Sequence, residues 1–326
     1  MTNILDPILG TNPDHIQITN SEIQSFKDCK RKWYLNYYLG LGPKTENKIG
    51  PLPLGVRVHN SLEKYYTDDM NPVWTYKRLA KEDKEIFLET EEFLDDEKMK
   101  KFDSESELGR IMVEGYVEWV EEENKDADFE FVSAEKSVSV PLEINDQSVT
   151  LMGKVDLQLR KKMDDAVLIT DFKTTAASAW NNYNLYSHMS EQLMLYVTLA
   201  RAAGDKVDGG MYRLLKKVKR TGTAKPPFYD DKIVRFNGTQ LESFWTRTMS
   251  TIYEMVDARQ RLDAGESHLS VVYPRPSNEC SWKCPFFQMC TMMDDGSDFQ
   301  GFLNDQFMKR DPNARYEGTE VDAKRT

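Results

Sequence analysis

Apolar residues recur every three or four positions through SEIQSFKDCKRKWYLNYYLGLG, where Ile23, Phe26, Trp33, Tyr34 and Tyr37 fall on one helical face. Ser21 or Asn20 offers a capping oxygen at the start, and Gly40, Gly42 and Pro43 end the pattern. A second helix starts near Gly55 and carries His59, Leu62 and Tyr66. Residues 75–125 are strongly charged, yet Leu108, Ile111, Met112, Tyr116, Trp119 and Val120 form a stripe that predicts a helix laid on a core.

After Asp126 the period changes to two. FEFVSAEKSVSVPLEI, QSVTLMGKVDLQLR and AVLITDFKTT read as three strands. The turns between them, Asn145-Asp146 and Met163-Asp164-Asp165, are short enough for antiparallel hairpins. A helix over residues 190–203 stops at Gly204, VDGGMYRLLKKV reads as a fourth strand, and residues 239–264 form another amphipathic helix. Residues 1–20 read as a flexible arm and residues 294–326 as a polar, loosely docked tail. The order predicts an α/β fold: one domain over residues 21–293, with a mixed sheet flanked by helices and a helical elaboration at 75–125.

Composition narrows the class. With 40% hydrophobic and 30% charged residues the chain suits a soluble globular protein, and it has no apolar run long enough for a membrane span. The N-terminus lacks the basic and apolar regions of a signal peptide, so a cytosolic location is expected. A net charge of −11 argues against nucleic-acid binding through overall charge, but it leaves room for a local basic groove. Two basic clusters exist: Lys27, Lys30, Arg31 and Lys32, and the segment RLLKKVKRTGTAK from Arg213. Each is either a solvated face or a phosphate contact.

Two constellations carry chemistry. In a strand, residues two apart share a face, so Asp171 and Lys173 of ITDFKTT point together while Phe172 points into the core. A hairpin register can set Asp156 of GKVDLQL beside Asp171. Two close carboxylates repel by roughly 4 kcal/mol at about 4 Å and an effective dielectric of about 20. They relieve this by taking up a proton or by binding a divalent cation, and Mg²⁺ fits such a site. A bare D-x-K pair is otherwise a surface salt bridge. The second constellation is the cysteines. Cys280, Cys284 and Cys290 cluster, Cys29 stands apart, and in a cytosolic chain such a cluster points to metal more than to disulfides. Four thiolates suit Zn²⁺ or an iron–sulfur centre, and spacing alone does not separate them.

An Asp in G-x-x-D followed on the next strand by D-x-K resembles the PD-(D/E)XK nucleases, the RecB-type domains in particular. Glu135 sits where that group has an acidic residue, Gln192 and Tyr196 match its Q-x-x-x-Y signature, and His59 matches its G-x-x-x-H histidine. The resemblance implies a restriction-endonuclease-like core. It implies Asp156, Asp171, the Phe172 main-chain carbonyl and His59 as ligands for Mg²⁺ or Mn²⁺, with Lys173 as the catalytic lysine and Glu135, Gln192 and Tyr196 in the catalytic constellation. The helix around Cys29 resembles the S-x-I-x-x-F-x-x-C-x-R-K-W/F helix of AddB and of CRISPR-associated RecB-like exonucleases, where one early and three late cysteines hold a 4Fe–4S cluster. CSWKCPFFQMC departs from their C-x2-C-x5-C by one residue in the first gap. The implied cluster is a clasp between residues distant in sequence.

The expected function is therefore metal-dependent DNA exonuclease activity. No helicase P-loop is present, which suits a stand-alone enzyme of phage or bacterial recombination, repair or CRISPR-type processing. Expected partners are DNA, single-stranded or with free ends, recombination or CRISPR-adaptation proteins, and a second copy of the chain. Arg213, Lys216, Lys217, Lys219 and Arg220 are the candidate phosphate contacts, with Phe228 and Tyr229 as candidate base-stacking residues. The alternatives are a non-cleaving nuclease-fold protein that binds DNA or a partner, and a zinc-bearing interaction module.

Overall fold

The computed structural model describes residues 15–45, 47–90 and 95–316. The elements are β1 (His15–Thr19), α1 (Asn20–Asp28), β2 (Leu41–Pro43), α2 (Pro51–Asp68), α3 (Pro72–Thr90) and α4 (Asp96–Glu122). There follow β3 (Phe129–Ile144), β4 (Gln147–Lys161), β5 (Ala166–Ala176), α5 (Glu191–Ala202), β6 (Gly209–Lys217) and β7 (Tyr229–Val234). The last are α6 (Gly238–Asp263), α7 (Phe287–Asp295), α8 (Phe299–Gln306) and β8 (Phe307–Lys309). The chain divides into two compact units of interleaved segments: residues 1–46, 139–153 and 242–326 form one, and residues 47–138 and 154–241 the other.

In the first unit β1 runs parallel to the early part of β4, with Ile18 opposite Leu151, both fully buried. The expected arm is thus a strand over its last residues; a five-residue strand is too short for its alternation to stand out in the sequence. The remainder of that arm, residues 1–14, lies outside the described residues. Thr19, one residue before the expected caps, starts α1 by accepting the Glu22 N–H at 3.3 Å. The expected single helix breaks at Cys29, whose φ of −163° and ψ of 114° are extended. It resumes over Lys30–Trp33 and widens into a π turn over Tyr34–Tyr38. Glu22 is fully buried. Its carboxylate accepts from Trp33 Nε1 at 2.9 Å and from Arg259 of α6 at 2.8 Å, the partners a charge at that depth requires.

The expected loose tail is also ordered within its described part. β8 pairs antiparallel with β2, Phe307 stacks on Phe286 with centroids 5.1 Å apart, and Leu303 is fully buried. Two apolar anchors in a polar stretch are enough to dock it, but too few to set a period. Residues 317–326 of the tail lie outside the described residues.

The second unit holds a mixed sheet. The late part of β4 pairs antiparallel with β5, β5 runs parallel to β6, and β6 pairs antiparallel with β7. Leu157 and Leu159 of β4, Leu168 and Phe172 of β5, and Met211 and Leu215 of β6 form one apolar face. It is buried against Leu54, Val58 and Leu62 of α2 and Met112, Val113 and Tyr116 of α4. α5 covers the opposite face so closely that a Cβ on Gly210 would stand 3.1 Å from Leu193. Helices on both faces of a mixed sheet are the α/β arrangement that the sequence predicts. β7 was not anticipated, because Asp230, Asp231 and Lys232 interrupt the alternation of this edge strand. Among the described residues no helix is long and apolar enough to cross a membrane.

Candidate active site

The β4–β5 register sets Leu157 opposite Thr170, so the next residues along, Asp156 and Asp171, come to the same place on neighbouring strands. The strand period puts Lys173 on the face of Asp171, while Phe172 enters the core on the other side, only 5% exposed. Asp171 is 3% exposed. Its Oδ1 accepts from Gln192 Nε2 at 2.8 Å, and its Oδ2 lies 2.7 Å from the Lys173 ammonium. The same Gln192 amide donates to the Tyr196 hydroxyl at 3.3 Å, so the two signature residues on α5 act as one bracket behind the carboxylate. From α2, His59 Nε2 meets Asp156 Oδ2 at 2.7 Å, and the Phe172 N–H donates to the same oxygen at 3.3 Å. The structure therefore brings together His59, Asp156, Asp171, Lys173, Gln192 and Tyr196. Glu135 lies on β3, and its side chain falls outside what is described.

The electrostatics divide the two carboxylates. Burial pushes the Asp171 carboxyl up to about 6, and the neighbouring Asp156 charge adds to this against the pull of Lys173 and His59. Burial also opposes ionisation of Asp156, but the His59 charge and hydrogen bond, with Lys173 and the Phe172 N–H, outweigh it and hold that carboxyl below its ordinary value. Burial works against the Lys173 ammonium too, yet the two aspartates prevail and raise its pKa, so the lysine stays charged. His59 is raised likewise, with Asp156 overcoming burial.

The donor set fits a hard divalent cation. Asp171 Oδ2 is buried with the Lys173 ammonium at 2.7 Å, and carboxylate oxygens are what Mg²⁺ or Mn²⁺ prefers. As the side chains stand, no three His, Cys, Asp or Glu groups among the described residues gather closely enough to hold an ion. The carboxylates are matched instead by the imidazole and the ammonium.

Three neighbours escaped the sequence reading. The parallel register sets Tyr212 beside Asp171, and its hydroxyl bonds that of Ser190, which caps α5. Tyr183 meets the Tyr212 ring edge-on at 5.7 Å. A parallel pairing across an intervening helix leaves no local signal that could have found them.

The basic segment behaves differently from expectation. Arg213 pairs in register with Phe172, away from Asp171, and is fully buried. It binds Asp231 at 2.9 Å and Asp126 at 3.2 Å, and donates to the Tyr66 and Tyr116 hydroxyls. It is a core ion-pair centre and not a phosphate contact, because strand alternation turned it inward. Arg220 lies over the Phe228 ring at 3.9 Å and donates to Tyr229, which in turn donates to the Met112 carbonyl. These two rings are therefore occupied by the arginine and are not a base-stacking pair. Lys219 reaches Ser104 at 3.0 Å, and burial lowers the pKa of half-buried Lys217. Lys216 shares the face of Asp171 and Lys173, opposite Thr175 in register.

Cys29, Cys280, Cys284 and Cys290 line one cavity of about 360 Å³ in the first unit, and all four thiols are free. N–H groups point at the sulfurs: Arg275 N–H to Cys29 at 3.4 Å, Ser277 N–H to Cys280 at 3.4 Å, and the Arg31 guanidinium to Cys290 at 3.5 Å. Arg31 also donates to the Cys290 carbonyl and to Asp294, tying the turn after Cys29 to α7. Burial pushes the Cys284 and Cys290 thiols up, so holding them as thiolates calls for a compensating cation.

The site is thus a buried carboxylate pair with a lysine, set on the sheet of an α/β fold. The chain matches the PD-(D/E)XK nuclease superfamily over residues 17–291, and it belongs to that superfamily. No curated protein matches it. Among solved structures it is similar to SSO0001, at 11% identity and a TM-score of 0.33, with 87% of this chain and 88% of that chain covered. It is also similar to a protein from Eubacterium rectale described as a putative exonuclease, at 12% identity and a TM-score of 0.43, with 84% and 94% covered.

The raised Asp171 carboxyl has a stability signature. Its folded pKa of about 6 lies above the value of 3.8 for a free group, so the stability it lends is full below 3.8 and is lost as pH rises through about 6. Asparagine mimics the protonated form. Metal-free Asp171→Asn is expected to be the more stable protein at pH 7.5, by about 1–3 kcal/mol, with the gap closing as pH falls from 6 to 4. Thermal melts of both proteins across that range check this.

Proposed function

We propose that the protein is a RecB-like, Mg²⁺- or Mn²⁺-dependent deoxyribonuclease that works on DNA ends as an exonuclease. Its setting would be phage or bacterial recombination, repair or CRISPR-type DNA processing. The supporting observation is the buried Asp171 carboxylate, which the strand register sets beside Asp156 and whose Oδ2 faces the Lys173 ammonium at 2.7 Å.

Asp156, Asp171 and the Phe172 carbonyl would hold the metal, with His59 as a further ligand. A bound divalent ion supplies hydroxide at neutral pH and offsets charge building on the phosphoryl group. The chain's own groups do the rest. Gln192, backed by Tyr196, fixes Asp171 Oδ1 and so aims Oδ2. His59 orients Asp156. Lys173 stays an ammonium, and from beside Asp171 it orients the attacking water or stabilises the phosphoryl oxygens. The intact trio favours cutting over a purely binding role.

In this reading the four cysteines hold a 4Fe–4S cluster that closes the long loop between residues 29 and 280 and acts as a structural clasp. Cross-linking so long a loop restricts the unfolded chain. The N–H donors at three of the sulfurs suit a thiolate-held centre, Zn²⁺ included.

End-labelled single- and double-stranded DNA, incubated with Mg²⁺ or Mn²⁺, should be shortened by the wild type. Asp171→Ala and Lys173→Ala should each cut at least about 100-fold more slowly while circular dichroism stays unchanged. A Lys173→Ala protein as active as wild type would remove this mechanism. For the clasp, anaerobically purified protein should be brown, and Cys284→Ala should lose iron and melt earlier. Colourless protein loaded with zinc would replace the cluster by the zinc reading, and an unchanged iron load in the variant would remove Cys284 from the ligands.

A further inference from the structure

The segment between β5 and α5 carries a run of exposed apolar side chains beside the candidate active site. Leu185 is 79% exposed, Tyr186 51% and Met189 74%, although solvent is an unfavourable place for three neighbouring large apolar groups. The Tyr186 ring lies parallel to Tyr212, 14° between planes and 6.3 Å between centroids, and the Lys173 ammonium sits 5.7 Å from that same Tyr212 ring. Tyr183 braces Tyr212 edge-on. The result is a short aromatic stack that starts beside Lys173 and ends at a half-exposed face of Tyr186.

The helix that carries His59, α2, shows the same character. Leu52, Val56 and His59 recur at helical spacing on one face, with Leu52 78% and Val56 49% exposed, and His59 holds Asp156. Charge is available too. The Lys216 ammonium lies 4.6 Å from the Trp180 ring and, among the described residues, has no carboxylate partner. It stands two positions along the same sheet face from Lys173, because Thr175 and Lys216 are in register.

A base-paired duplex shows a nearby protein mainly phosphates and sugars, whereas an unpaired strand also shows flat apolar base faces. Exposed apolar and aromatic groups near the carboxylates, with an ammonium on the same sheet face that meets the Lys225 carbonyl at 3.5 Å but no carboxylate, match the second surface. We propose that Tyr186, stacked on Tyr212 and flanked by Leu185 and Met189, is a stacking platform for an unpaired DNA base next to the scissile phosphate, with Lys216 holding a neighbouring phosphate. This rests on the nuclease reading and deepens it. The enzyme selects single-stranded or frayed DNA because a base within a duplex is stacked on both of its faces and offers neither to Tyr186.

Binding can be read without cleavage. Fluorescence anisotropy in EDTA with a short oligo-dT and a blunt duplex should show the wild type favouring oligo-dT. Tyr186→Ala should lose about tenfold of that affinity and leave duplex binding within about twofold, while Tyr186→Phe, which keeps the stack, binds as wild type. Lys216→Gln should weaken both forms, since phosphate is common to them. The proposal is overturned if wild type does not bind oligo-dT, if Tyr186→Ala binds it normally, or if that variant loses both forms equally. A wild type that cuts nothing yet shows the Tyr186-dependent preference would sink hydrolysis and leave the platform standing. Normal cutting with no such preference would do the reverse.

Discussion

Two aspartates share the edge of a hydrophobic core, and everything else at the site answers the repulsion between them. Water would screen such a pair, but at 3% exposure Asp171 has little of it. The protein supplies fixed partners instead: the Lys173 ammonium, the Gln192 amide and, for Asp156, the His59 imidazole and a backbone N–H. Burial nonetheless keeps the Asp171 carboxyl raised, with the Asp156 charge adding to it. In the proposed function these two carboxylates are the ones that would meet a divalent cation.

The sheet makes this tolerable. β5 alternates strictly, so each residue that builds the site is backed by one that builds the core: Asp171 and Lys173 on one face, Leu168 and Phe172 on the other. The neighbouring strand repeats the division in register. Tyr212 joins Asp171 at the site, while Arg213 joins Phe172 inside, bound to Asp126 and Asp231. A guanidinium at zero exposure is stable only because two carboxylates and two tyrosine hydroxyls saturate it. The same strand thus carries one cation inward for structure and a later one, Lys216, outward toward the site.

Much of this was legible in the chain. D-x-K on an apolar strand and G-x-x-D on the strand before fix which side chains meet, since the hairpin between them is local and its register follows from a short turn. Gln192 and Tyr196 were legible for the same reason, being one helical turn apart. What failed was non-local or too short. The inward turn of Arg213 depends on pairing with β5 across an intervening helix, and a run of basic residues reads alike whether one member is buried or none is. The strands of five and three residues at the chain's margins, β1, β2 and β8, carry too few residues to show a period. The break at Cys29 was hidden because the apolar spacing continues straight through it, yet the extended backbone there sets the thiol toward the other three cysteines. The Tyr183–Tyr186 turn is too short to show a pattern in sequence until Tyr212 stands beside it.

Calorimetric titration of Mn²⁺ into metal-free protein, without DNA, tests the central claim most directly. A binding event in the wild type that vanishes in both Asp156→Ala and Asp171→Ala, while both variants stay folded, is the predicted result. Undiminished Mn²⁺ binding by either variant would contradict the convergence of the two carboxylates on one ion.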